Sequence, residues 1–215
     1  MNVKGTFISL EGIEGAGKST LARALEAALR ERGVAVRLTR EPGGTPLAEQ
    51  LRALVLARGA ERISAEAETL LMFAARAIHL ENLIRPALSS GTWVICDRFT
   101  DATRAYQGAG RGVDAALIER LATAVHGELW PRRTLLLDLP VELGLTRARK
   151  RQGQGDRFED EDRRFFERVR ARYLELAATQ SARVRIVDAT GTPDSVTAQA
   201  LEAIADLLPA AAGSA

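Results

Sequence analysis

Gly12-Ile13-Glu14-Gly15-Ala16-Gly17-Lys18-Ser19 lies between an apolar run at 6–11 and an amphipathic stretch that begins near Leu21. It fits the pattern G-x-x-x-x-G-K-[ST], with the strand before it and the helix after it that the pattern requires. The glycines let backbone N–H groups turn inward around an anion, at the positive end of the following helix. Lys18 is then placed to reach β/γ oxygens, and the Ser19 hydroxyl to serve Mg²⁺. The expected ATP-phosphate cradle is therefore Gly12, Ile13, Glu14, Gly15, Ala16, Gly17, Lys18, Ser19 and Thr20.

The same alternation continues along the chain. Short apolar or β-branched runs predict strands at 6–11, 34–39, 93–97, 134–138 and 184–188. Leu21, Leu25, Ala28 and Leu29 share one face of the first helix, which Gly33 stops, and further helices are expected over 65–80 and 163–178. This is an α/β chain, with a five-stranded parallel sheet flanked by helices. Neither a repeat nor a linker divides it, so 1–208 is expected to be a single domain and 209–215 a flexible tail.

Composition removes several classes of function. The 215 residues are 46% hydrophobic and 27% charged, with 30 Lys+Arg against 28 Asp+Glu interleaved almost everywhere. That pattern gives no basic stripe for a nucleic acid. No apolar run is long enough to span a bilayer, and 1–5 leads into a strand with no signal peptide, so a cytoplasmic location is expected. Cys96 alone excludes an internal disulfide, and with only His79 and His126 beside it a thiolate–imidazole zinc site is not expected.

What is done with the nucleotide must come from elsewhere. A guanine reader of the form Asn-Lys-x-Asp is absent, since Asn2 and Asn82 are the only asparagines and neither precedes a lysine. Arg40 closes the second strand and Arg98 follows the third, both at carboxyl ends of parallel strands, where open α/β sheets bind ligands. Two arginines on the rim of a phosphate cradle make a pocket for a second phosphate. Asp97 has the position of an acceptor for a Mg²⁺-bound water. Arg147, Arg149, Lys150 and Arg151 precede Gln152-Gly153-Gln154-Gly155 and Asp156-Arg157, a cationic, glycine-bearing lid expected at about 147–157. Asp138, at the end of a leucine-rich strand, reads equally as a metal-side acid or a strand-end cap. Gly108-Ala109-Gly110-Arg111-Gly112 reads as a mobile connection.

These parts suit phosphoryl transfer to a nucleoside monophosphate. Its terminal phosphate has a second pKa of about 6, so it is largely dianionic and needs no general base. The work is to bring two polyanions together and stabilise the spreading charge. A kinase for some other monophosphate on the same core, or an ATP-binding switch without transfer, are the alternatives. A switch would need no second phosphate pocket.

The chain resembles the bacterial thymidylate kinase family nearly end to end. The segments that carry the resemblance are Glu11 to Ser19, Thr39-Arg40-Glu41-Pro42-Gly43-Gly44-Thr45, Asp97-Arg98-Phe99, Ala105-Tyr106-Gln107-Gly108 and Asp156-Arg157-Phe158-Glu159. The resemblance implies a nucleoside-monophosphate-kinase fold, transfer from ATP-Mg²⁺ to dTMP, and a homodimer. It assigns Glu14 to the 3′-hydroxyl, Arg40 and Arg98 with Arg52 to the dTMP phosphate, and Tyr106 to the sugar where a 2′-hydroxyl would sit. Thr103 and Gln107 become thymine-side polar contacts. Gly15 stands where another branch of the family has an arginine, which passes that charge to the lid: Arg151, with Arg147, Arg149 or Arg157 as alternatives. The family's base pocket stacks an aromatic on thymine and hydrogen-bonds the base edge with an arginine. On the helix expected at 65–80, with its apolar stripe Leu70, Phe73, Ala77 and Leu80, these are Phe73 and Arg76. Met72 holds the aromatic's usual spacing, so either Met72 or Phe73 faces the base. If Phe73 belongs to the core instead, Arg76 would pair with a carboxylate such as Glu66.

Overall fold

The computed structural model describes residues 5–57, 61–150 and 161–208. Its strands β1 (Phe7–Glu11), β2 (Val36–Arg40), β3 (Trp93–Asp97), β4 (Arg133–Asp138) and β5 (Val184–Asp188) pair in parallel in the order β2-β3-β1-β4-β5. The connections carry α1 (Lys18–Glu31), α2 (Pro46–Leu56), α3 (Ala65–His79), α4 (Arg85–Ser89), α5 (Thr100–Thr103), α6 (Ala115–Val125), α7 (Val141–Arg149) and α8 (Arg163–Thr179), with α9 (Pro193–Ala203) after β5. The five expected strands are all present. β2 starts two residues late because the Val34 N–H still bonds the Leu29 carbonyl and closes the end of α1.

All five residues of β1 are buried, since this central strand has helices on both faces. Strand side chains alternate. Ile8 and Leu10 share a core with Leu21, Leu25 and Leu29 of α1, each leucine contributing about 2 kcal/mol by its burial. Phe7 packs with Leu80, Ile84 and Phe99 on the other face. There too Ser9 Oγ meets Thr134 Oγ1 at 2.8 Å, and Glu11 accepts from Tyr173 of α8 at 2.7 Å.

Strand order reverses at β1, which opens a crevice at the carboxyl ends. The register aligns that rim: Leu10 lies opposite Asp97, and Asp97 opposite Arg40. Glu11, Arg40, Asp97 and the turns after them therefore meet at one place.

Several expectations change. The helix begun at Ala65 does not stop at 80 but widens into a π-helical turn, Leu80–Ile84, and runs on as α4. Pro86 has no N–H to donate, and just before it the Arg85 N–H reaches back to the Leu80 carbonyl. Leu70 is 53% exposed, so it leaves the stripe that was to line the base pocket. The glycines at 108–110 belong to a second π-helical turn, Arg104–Gly110, rather than an open connection. Its Gly110 lies flat against Phe165 of α8, where a Cβ would overlap the ring. Of the expected lid, residues 147–149 are the last turn of α7. Arg151, Arg157 and the tail 209–215 lie outside the described residues. Asp138 pairs with Arg170 at 2.7 and 2.8 Å, the strand-end alternative. Among the described residues no helix is long and apolar enough to cross a membrane.

Candidate active site

The rim encloses a cavity of about 550 Å³ lined by the cradle residues Glu14 to Thr20 together with Arg40, Arg52, Met72, Arg76, Asp97, Arg98, Thr103, Tyr106, Gln107 and Arg147. Gly12 and Ile13 lie beneath it and offer their carbonyls to Lys18 Nζ, each at 3.0 Å. Gly15 sits at φ 73°, and a Cβ there would overlap the Gly144 carbonyl of α7. The backbone contact leaves no room for a side chain, which is the physical content of a glycine at this point of the loop.

Arg98 reaches the same ground from the other side. Its Nη1 donates to the Gly12 carbonyl at 3.2 Å and its Nη2 to Glu14 Oε1 at 2.7 Å. The guanidinium stands 4.5 Å from the centre of the Tyr106 ring, and the Tyr106 hydroxyl donates to Glu14 Oε2 at 2.7 Å. Lys18 and Arg98 thus converge on one carbonyl. Arg98 is also the one non-glycine residue at positive φ, 72°, among the described residues. Arg40 lines the cavity as well, but its guanidinium is held by Glu49 at 3.0 and 3.1 Å. Arg52 donates to the Pro42 carbonyl at 2.8 Å, and Arg147 to the Ala189 and Thr190 carbonyls.

Ser19 Oγ donates to Asp97 Oδ2 at 3.4 Å, while Asp97 Oδ1 is buried with no hydrogen-bond partner. A hydroxyl beside an orphaned carboxylate oxygen is the hard, oxygen-only donor set that Mg²⁺ takes together with waters, so these residues fit the ion.

The far end of the cavity holds Arg76, 2% exposed. Its Nε donates to Glu41 Oε2 at 2.6 Å and its Nη2 to Thr103 Oγ1 at 3.2 Å. The partner is Glu41, not Glu66. His79 bonds the other Glu41 oxygen at 3.0 Å and Thr39 Oγ1 at 2.7 Å. Burial works against the charge of Glu41, but Arg76 and His79 outweigh it and hold the carboxyl below its usual range. Cys96 is close enough that Glu41, His79 and Cys96 offer ligand atoms within 4.8 Å of one another. Burial raises that thiol's pKa, its proton goes to the Arg98 carbonyl at 3.0 Å, and both Glu41 oxygens are already taken. The group is a hydrogen-bonded support for Arg76. Phe73 is not on the cavity wall: it packs with Val113, Ile118 and Ala122, and the wall position belongs to Met72. Glu41, His79, Glu68 and Glu11 were not anticipated. A signal for two of these, Glu68 and His79, was present, for with Met72 and Arg76 they recur at helical spacing and put a largely polar stripe on the buried side of α3.

Below the cradle, Glu11 is fully buried and accepts from the Phe99 N–H at 2.8 Å. Burial, reinforced by the charge of Asp101, pushes its pKa up to about 8. With a folded pKa above the unfolded one, Glu11 contributes stability that is complete below about 4.5 and lost as pH rises to about 8. Urea denaturation of Glu11→Gln at pH 5 and pH 8.5 should therefore show a flatter profile than the unmutated chain. The variant should gain on the order of 4 kcal/mol relative to it at the higher pH. Parallel profiles would mean that Glu11 titrates normally in the folded protein.

Over residues 10–200 the chain matches the family model described as thymidylate kinase. It is 59% identical over 188 residues to a thymidylate kinase of Pseudomonas syringae pv. syringae (strain B728a), covering 87% of this chain and 89% of the relative. It is 54% identical over 209 residues to one of Ectopseudomonas mendocina (strain ymp), covering 97% and 99%. Among solved structures, the crystal structure of thymidylate kinase from Ehrlichia chaffeensis superimposes with a TM-score of 0.76 at 32% identity, covering 94% of this chain and 99% of the other.

Proposed function

Because the chain belongs to the thymidylate kinase family and so phosphorylates dTMP to dTDP with ATP as donor, we propose the following division of labour within the cavity. Gly12 to Thr20 hold the ATP phosphates, with Lys18 on the transferring group. Ser19 and Asp97 hold Mg²⁺, which would neutralise phosphate charge when bound. Arg98, with Arg40 and Arg52, holds the dTMP phosphate. Glu14 and Tyr106 face the sugar, and Met72, Arg76, Thr103 and Gln107 face the base. Arg151, or one of Arg147, Arg149 and Arg157, adds positive charge to the transition state from the lid.

The observation that carries this reading is the convergence of Lys18 and Arg98 on the Gly12 carbonyl, at 3.0 and 3.2 Å. Two cations with one acceptor between them are what a donor phosphate and an acceptor phosphate brought together would need, and this supports the reading. The nucleophile is already anionic, so positioning and electrostatics suffice. We also place the enzyme in the cytoplasm as a homodimer without nucleic-acid partners. Support for the dimer comes from Leu47 and Leu54 on α2 and Leu70 on α3, all more than half exposed on helices that pack against each other.

A coupled assay across dTMP, dUMP, CMP, AMP and GMP should rank dTMP first. Gln107→Ala should raise the KM for dTMP about tenfold and leave that for ATP unchanged. A preference for a purine monophosphate, or a loss of ATP affinity in Gln107→Ala, would remove the acceptor-pocket assignment.

A further inference from the structure

Arg76 and Gln107 both line the cavity, and groups behind the wall decide what each has left to offer. Arg76 gives Nε to Glu41 and Nη2 to Thr103, while its buried Nη1 has no protein partner. A donor remains. Gln107 gives Nε2 to Glu68 Oε1 at 2.7 Å, and Arg111 Nε donates to the same oxygen at 3.1 Å. Glu68 and Gln107 are 1% and 2% exposed, so bulk water does not compete for these bonds.

A carboxylate oxygen that receives an arginine N–H acts here only as an acceptor. Turning the Gln107 amide over would set oxygen against oxygen. Gln107 must therefore keep its nitrogen toward Glu68 and its Oε1 away from it, and among the described residues no donor meets that Oε1. An acceptor remains.

We propose that Glu68 is a specificity-determining positioning residue. By fixing the Gln107 amide it makes Arg76 Nη1 and Gln107 Oε1 a donor–acceptor pair that reads the O4 and N3–H of a 4-oxopyrimidine. A 4-aminopyrimidine presents the reverse, an amino donor and a bare N3 acceptor, and meets both wall groups with like against like. This rests on the placement of the dTMP base at this end of the cavity.

The matched substrates are dTMP and 5-methyl-dCMP, which differ only along that edge. Glu68→Leu removes the acceptor and leaves both amide orientations open, so the ratio of kcat/KM for the two should fall about tenfold or more. The KM for ATP should stay within about twofold, because no ATP contact changes. Glu68→Gln keeps an oxygen that Arg111 holds toward Gln107, and should retain the unmutated ratio. If Glu68→Leu loses both substrates in equal proportion, Glu68 is merely structural and the proposal falls, while the dTMP site stands. A structure of the unmutated protein with dTMP is independent of how the variants fold. It should show N3 on Gln107 and O4 on Arg76, with Glu68 still holding Nε2. A base seated there with the amide released from Glu68 overturns the positioning role alone; a base found elsewhere in the cavity removes the placement as well.

Discussion

Arg98→Ala is expected to transfer phosphate at about one-thousandth of the unmutated rate or less, the scale on which an arginine facing a transferring phosphoryl group acts. The side chain stands opposite Lys18 across the Gly12 carbonyl, bonds Glu14, and lies over Tyr106. Removal takes away a charge that two polyanions must share. Arg98→Lys should recover little, because a point charge cannot hold the carbonyl and the carboxylate together as the guanidinium fork does. Backbone geometry adds a control. At φ 72° a residue with a Cβ costs about 1 kcal/mol more than glycine. Arg98→Gly should therefore be as inactive as Arg98→Ala yet more stable than it by about 1 kcal/mol in urea denaturation. Strain kept at a working residue would explain that opposition of stability and activity. If Arg98→Ala retains a tenth of its turnover, Arg98 serves to hold Glu14 rather than the phosphate.

How much of this was legible in the sequence depends on the range of the forces involved. The strand, glycine turn, lysine and helix at 7–31 could be read from the sequence, because they follow one another within the chain and each acts on its neighbours. The strands were legible for the same reason, and the displaced start of β2 came from a helix-closing bond, Val34 to Leu29, that apolar periodicity does not register. The base end of the cavity was harder. Arg76 pairs with Glu41, thirty-five positions away, and Gln107 with Glu68, thirty-nine away. Local spacing cannot choose among carboxylates at that range, which is why the alternative considered for Arg76 was a nearby carboxylate such as Glu66. Two stripes also competed on α3. The apolar one, Leu70 and Phe73, leads to solvent at Leu70 and to the α6 core at Phe73. The polar one, Glu68 through Met72 and Arg76 to His79, is the one turned inward. Charged residues in a buried stripe are costly without partners. Each finds one, and those partners place the cavity's polar groups.

Lys18→Met should lower kcat by about a thousandfold or more, since it removes the ammonium that the loop places for the transferring oxygens. The pH profile makes this more than a deletion experiment. In the nucleotide-free protein burial, with Arg98 adding to it, lowers the Lys18 pKa to about 8. Its ammonium then rests on the carbonyls of Gly12 and Ile13, a neutral substitute for phosphate. Phosphate oxygens favour the charged form, so nucleotide binding near pH 8 should take up a proton. The sign follows directly. As pH rises through about 8 the cationic fraction of the free protein falls, and kcat/KM for ATP should fall with it, approaching tenfold per pH unit. Calorimetry at pH 8 in two buffers of different ionisation enthalpy measures the uptake independently of turnover. In Lys18→Met both the falling limb and the proton uptake should be gone. A limb that survives the substitution would assign the titration to another group, and Glu11, raised to about 8 directly beneath the loop, would be the one to replace next.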